Sequence, residues 1–88
     1  MTIRDILNKL LWDPKENIVY YELAFIHRGA PMDVKVISCS LIAEVESSGF
    51  TYKNEEEDEE VFIPFHRVLE IRNVRTGQVI YNKRARVG

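Results

Sequence analysis

The chain contains two histidines, and an arginine follows each of them: His27-Arg28-Gly29 and His66-Arg67. Arginine presents a planar fork of donors that matches two phosphate oxygens, while histidine donates from either ring nitrogen and titrates near neutrality. Two such dipeptides converging on one point suit a phosphate monoanion or diester. A charge-assisted hydrogen bond contributes on the order of 1.5–3 kcal/mol, so two pairs would hold a small anionic end tightly enough to select it. Each histidine also has a plainer reading, His27 as a residue on the rim of the core and His66 as a turn residue bonded to backbone. Other chemistries lack their marks. Around His27, His66, Asp13, Asp33 and Cys39 the spacings of zinc and calcium sites are missing, so no metal or cofactor is expected. Gly-rich phosphate loops and Ser-His-Asp or Cys-His signatures are missing too, and Cys39 reads as a small core residue.

The formal net charge is −2, but the charges are segregated. Six of the fourteen acids form the block 55–60, which leaves eight acids against twelve bases elsewhere. From Arg67 onward, six bases (Arg67, Arg72, Arg75, Lys83, Arg84, Arg86) face the single acid Glu70. Contacts follow local charge, so a basic C-terminal surface can hold anions on an acidic protein. The acidic block itself reads as a solvated loop between strands.

With 88 residues the chain is expected to form one domain, 1–88, around one core. Apolar residues at 45% and charged residues at 30% fit an ordinary globular protein. The lone Cys39, the absence of a signal-like apolar run near Arg4, Asp5, Asn8 and Lys9, and the absence of a spanning-length apolar stretch point to a cytoplasmic protein.

Elements must bring the two dipeptides together. Thr2 and Asp5 read as an N-cap and its reciprocal carboxylate, and Ile3, Ile6, Leu7, Leu10 and Leu11 follow at helical spacing. That predicts a helix of about ten residues ended by Trp12-Asp13-Pro14, with Trp12 packed on the helix's own apolar face. Residues 18–28 read as a central strand whose apolar face is Val19, Tyr21, Leu23 and Phe25, with His27 at its end and a turn at Gly29-Ala30-Pro31.

A faint internal repeat relates 36–45 to 62–71: Ile37 matches Ile63 and Glu44 matches Glu70, with apolar character kept at Val36/Phe62, Ile42/Val68, Ala43/Leu69 and Val45/Ile71. Each copy reads as strand, sharp turn, strand, with Pro64 ending the ladder in the second. A strand is expected over 50–53, and Thr76-Gly77 closes a hairpin into 79–83. On a strand over 67–73, Leu69 and Ile71 face one side while His66, Val68, Glu70 and Arg72 face the other. His66 and Arg72 would then share an exposed surface with Glu70, which would pair with Arg72. The expected fold is α+β, an N-terminal helix on a curled, mainly antiparallel sheet of five or six strands. Most aromatics belong to its core, and Tyr20, Phe65 and Tyr81 are the ones whose neighbours leave room for stacking on an unpaired base.

The ordered motifs Ile3-Arg4-Asp5-Ile6-Leu7-Asn8, Trp12-Asp13-Pro14, Ile26-His27-Arg28-Gly29-Ala30-Pro31, Ile63-Pro64-Phe65-His66-Arg67-Val68-Leu69-Glu70-Ile71-Arg72 and Gly77 resemble the archaeal family of RNA cyclic-group-end recognition domains, over roughly Ile3 to Arg84. The resemblance implies recognition, or processing, of RNA ends bearing a 2′,3′-cyclic phosphate. Its carry-over covers Asp13, His27, Arg28, His66, Arg67 and Arg72. Ser38 and Leu41 stand where the family often has a proline and an aspartate, and Tyr81 where it often has a tryptophan.

Three functions are therefore expected in order. The first is an RNA-binding module for single-stranded 3′ ends. The second is a cyclic phosphodiesterase using His27 and His66 as acid and base, although the third residues Gly29 and Val68 depart from the His-x-Thr or His-x-Ser pattern of two-histidine phosphoesterases. The third is a protein-interaction domain using the acidic loop or a free sheet edge.

Overall fold

In a computed structural model of the protein, which describes residues 2–83, Thr2 caps helix α1 (Ile3–Trp12). The Asp5 backbone N–H donates to Thr2 Oγ1 at 3.1 Å, and the Thr2 backbone N–H donates to Asp5 Oδ2 at 3.2 Å. Two N–H groups that the helix leaves unpaired are thereby satisfied. These bonds hold the Asp5 carboxyl below the usual carboxylate range. A carboxyl with a lowered folded-state pKa stabilises the fold above its ordinary value, and that contribution is lost as pH falls through the lowered one. Asp5→Asn should therefore lower the thermal midpoint near neutral pH, and the difference should shrink as acid protonates the Asp5 carboxyl in the folded protein, which melting curves across the acid range would measure.

Ile6, Leu7 and Leu10 form the buried stripe of α1, whereas Trp12 is 80% exposed. The expectation for Trp12 fails because two residues on from Leu10 is a rotation of roughly 200°, to the far side of the helix. Asp13 is the C-cap of α1, and its Oδ1 accepts the Lys15 backbone N–H at 2.9 Å.

Seven strands follow: β1 (Tyr21–Ile26), β2 (Val34–Ser38), β3 (Ile42–Val45), β4 (Gly49–Asn54), β5 (Glu59–Pro64), β6 (Val68–Asn73) and β7 (Val79–Asn82). The α+β reading holds, and the strands divide into two antiparallel sheets, β2-β1-β6-β7 and β3-β4-β5. The central strand is shorter than expected. The Asn17 side chain accepts from Val19 N–H and starts a 3₁₀ turn, Ile18–Tyr20, so Val19 is 61% exposed while Tyr21, Leu23 and Phe25 enter the core. Only part of the acidic block is loop, since Glu59 and Glu60 begin β5. No described helix is long and apolar enough to cross a membrane.

The repeat governs how the sheets join. Residues Ser38, Cys39–Leu41 and Ile42 end one strand, make a 3₁₀ corner and start the next; Pro64, Phe65–Arg67 and Val68 do the same, 26 positions later in each case. Backbone angles match, with ψ 136° at Ser38 and 146° at Pro64, then 122° at Ile42 and 128° at Val68. Each corner carries the chain from one sheet to the other.

Strand pairing repeats as well. Leu23, Ala24 and Phe25 face Ile71, Glu70 and Val68, as Phe50, Thr51 and Tyr52 face Val45, Glu44 and Ile42. Both ladders skip one residue, Leu69 in the former and Ala43 in the latter, which makes a β-bulge in each. The fold is a pseudo-twofold pair of hairpin-and-corner units, with α1 and β7 added outside the repeat. Phe25 and Tyr52, equivalent under that symmetry, pack with ring centroids 5.7 Å apart in the core.

Candidate nucleic-acid interface

Four of the six site residues expected from sequence meet at one end of the β1–β6 pair. Because Phe25 faces Val68, the chain leaving β1 through His27 and Arg28 runs beside the corner that brings His66 and Arg67 into β6. All four side chains are exposed. His27 lies edge-on to Phe25 with centroids 6.1 Å apart, which places it on the core rim as expected. Its backbone N–H donates to the Asp33 carbonyl at 2.8 Å, closing the loop between β1 and β2. Gly29 turns that loop with φ 93°, and Met32 and Asp33 also have positive φ values of 58° and 57°. Non-glycine residues rarely adopt that conformation, so the loop is held by its bonds, including Gly29 N–H to Asp33 Oδ1 at 3.4 Å.

One further cation stands at this end, Lys83, which the sequence places among the C-terminal bases but not among the site residues. Lys83 Nζ donates to the His66 carbonyl at 2.7 Å, fastening the end of β7 to the second corner. Lys35 faces Phe25 across the β1–β2 ladder, but its ammonium turns away from the His-Arg end, 5.8 Å from the centroid of the Tyr52 ring, and lines a cleft with Leu41, Asn54 and Glu55.

Arg72 and Asp13 lie elsewhere. Arg72 faces Glu22 across the ladder and pairs with it at 3.4 Å, so its partner is Glu22 and not the expected Glu70. Four residues of strand, roughly 13 Å, separate Arg72 from Val68. The expected shared face of His66 and Arg72 fails because His66 belongs to the 3₁₀ corner, and the expected outward Val68 is fully buried because the bulge at Leu69 breaks the alternation. Asp13 leads through the turn toward Tyr21, the opposite end of β1. Arg84 and Arg86 lie outside the described residues.

The pseudo-twofold supplies an internal comparison. The positions equivalent to His27 and Arg28 are Asn54 and Glu55, and those equivalent to His66 and Arg67 are Ser40 and Leu41. Leu41, Asn54 and Glu55 line one cleft, so the loop after β4 and the first corner adjoin as the symmetry requires. The same backbone arrangement is thus built twice, and only one copy carries the His-Arg dipeptides. Packing alone does not ask for that difference, because both versions fold around equivalent core residues.

Cys39, in the first corner, is fully buried, and burial pushes its thiol up to about 12. The thiolate is the nucleophile, so this cysteine is inert in the folded protein. Near about pH 8, alkylation of native protein should proceed far more slowly than that of denaturant-unfolded protein, which mass spectrometry would resolve. Among the described residues, no group of three or more His, Cys, Asp or Glu side chains is placed to hold a metal ion.

Residues 1–83 match the family described as the MJ1316 RNA cyclic group end recognition domain. A UPF0248 protein of Methanococcus vannielii is 40% identical over 81 residues, covering 92% of this chain and 90% of its own. The UPF0248 protein of Methanocaldococcus jannaschii is 38% identical over 82 residues, 93% of this chain and 94% of its own. That of Pyrobaculum aerophilum is 33% identical over 82 residues, 93% of this chain and 99% of its own. No solved structure matches the protein. With a match that runs from the capping box of α1 through both corners to the end of β7, the chain belongs to the MJ1316 RNA cyclic group end recognition domain family.

Proposed function

We propose that this single-domain protein is a non-catalytic, cytoplasmic module that binds single-stranded RNA 3′ ends carrying a phosphate, with the 2′,3′-cyclic form preferred. Arg28 and Arg67 fork the phosphate oxygens, and His27 and His66 donate to the remaining oxygens or to the ribose. Lys83 adds to the field that draws the backbone in. The observation that carries this reading is the β1–β6 register, which sets the two His-Arg dipeptides side by side while the equivalent corner has Asn54-Glu55 and Ser40-Leu41. The family's description supports the choice of ligand. Asp13 and Arg72, occupied with Lys15 N–H and Glu22 at the far end, are left out of the contact set.

Titration with matched oligonucleotides ending in cyclic phosphate, 3′-phosphate and free hydroxyl tests the proposal. The cyclic end should bind tightest and the hydroxyl end weakest, with log affinity falling with log salt at a slope of about −0.7 per phosphate contacted. Equal affinity for the three ends would remove end recognition.

Two imidazoles at one end of a strand pair also favour, as a second reading, a phosphodiesterase that opens the cyclic ester. Neither histidine has a hydroxyl residue two positions on: Gly29 is in a turn and Val68 is buried. Prolonged incubation with the cyclic-ended oligonucleotide separates the readings, because the binding module leaves it intact.

A further inference from the structure

Beside the basic corner lies a cleft of about 740 Å³ between the start of α1, the β3–β4 turn, the second corner and β7. Its walls include Thr2, Arg4, Asp5, Ser47, Phe65 and Tyr81. It adjoins the His-Arg end through two links. Phe65 immediately precedes His66 in the same 3₁₀ turn, and Tyr81 lies two residues before Lys83, whose ammonium holds the His66 carbonyl. The volume is in the range of small-ligand sites.

The chemistry of the walls selects the kind of group that fits. Phe65 and Tyr81 are both half-buried, each packed on the core with part of the side chain left accessible. Asp5 is held ionised at the cleft and offsets the charge of Arg4, and the Thr2 and Asp5 backbone N–H groups are already spent in the capping box. A flat neutral group with polar edges suits it. The rings offer stacking faces, and the Ser47 hydroxyl and the Arg4 guanidinium, both exposed, offer hydrogen bonds to an edge.

We infer that this cleft takes the unpaired base of the terminal nucleotide whose phosphate is held by the His-Arg dipeptides. The inference rests on the binding reading above and adds a base subsite to it. Stacking tolerates any base, so the site reads the presence of a base more than its sequence. Single-stranded ends follow from the same geometry, because a paired terminal base cannot leave its stack to enter the cleft.

The experiment pairs two oligonucleotides, both ending in cyclic phosphate, one with a normal last nucleotide and one abasic at that position, against wild type, Ser47→Trp and Tyr81→Ala. Ser47 is exposed in a turn, so tryptophan there fills the cleft without entering the core. Wild type should bind the base-bearing end about tenfold more tightly than the abasic one. Both variants should lose that advantage while keeping the wild-type affinity for the abasic end, and 2-aminopurine at the last position should be quenched by wild type and not by Tyr81→Ala. Equal binding of the two oligonucleotides by wild type, or an equal loss on both by the variants, overturns the base subsite. Failure of the underlying reading has a different signature, since wild type would then bind cyclic and hydroxyl ends alike whether or not the base is present.

Discussion

Removing both arginine forks, in Arg28→Ala/Arg67→Ala, should weaken binding of a cyclic-phosphate oligonucleotide at least about a hundredfold while leaving the fold intact. Each fork would supply charge-assisted hydrogen bonds worth on the order of 1.5–3 kcal/mol, and a single substitution should cost about tenfold or more. The two effects need not add, because both groups would act on one phosphate. Arg28 and Arg67 are exposed and neither makes a described ion pair. Melting midpoints should therefore stay within a few degrees of wild type, which separates lost recognition from lost structure. Lysine at both positions keeps the charge but not the fork, so the double lysine variant should recover non-specific RNA affinity and lose the preference for the phosphorylated end. The pseudo-equivalent corner is the natural control. Glu55→Ala, at the position matching Arg28, should leave end preference unchanged. If the double alanine variant bound all ends as wild type does, the proposed contacts would be wrong whatever the RNA affinity proved to be.

The readable parts of this fold were those fixed by local chemistry. The Thr2–Asp5 capping box and the Ile6-Leu7-Leu10 stripe specify α1 within a few residues of chain, and Thr76-Gly77 marks the β6–β7 turn because Gly77 takes a φ of 78°. The repeat between 36–45 and 62–71 was visible through spacing alone and corresponds to two matching strand-corner-strand units. Less accessible were features set by pairing across the chain. Two sheets, in place of one curled sheet, arise because each corner redirects the strand that follows it. Bulges at Ala43 and Leu69 shift which residues face inward, so alternation misassigned Val68.

The site divides along the same line. His27, Arg28, His66 and Arg67 stood out by residue type, and the register then sets them at one end. Arg72 has the right type and the wrong place, since its row on the ladder belongs to Glu22. Lys83 had only its membership of the C-terminal bases to mark it; its position at the site depends on its reach to the His66 carbonyl.

Gly49→Ala should be the most damaging single methyl addition, lowering stability by roughly 2–3 kcal/mol. Gly49 is buried where β4 faces Pro64, and a Cβ there would overlap the carbonyl oxygen of Ile63 and the ring of Phe62. Flexible side chains can move aside, but a backbone carbonyl within a ladder can do so only by displacing β5. The consequence reaches the site, because β5 runs directly into the corner that holds His66 and Arg67, and Phe65 N–H is anchored on the Ser48 carbonyl at 3.0 Å, one residue before Gly49. For a domain of this size each kcal/mol corresponds to about 4–8 °C of melting temperature, so the midpoint should fall by roughly 10–20 °C. The folded fraction, measured well below that midpoint, should also bind cyclic-phosphate ends more weakly, since the corner has shifted against β1. Gly77→Ala adds its Cβ to open space and bears only the strain of a positive φ, so it should cost about 1 kcal/mol and leave RNA binding unchanged. A Gly49→Ala protein that melted like wild type would mean that β5 is not held against β4 as tightly as the ladder requires, and the second corner would then have no fixed seat beside His27 and Arg28.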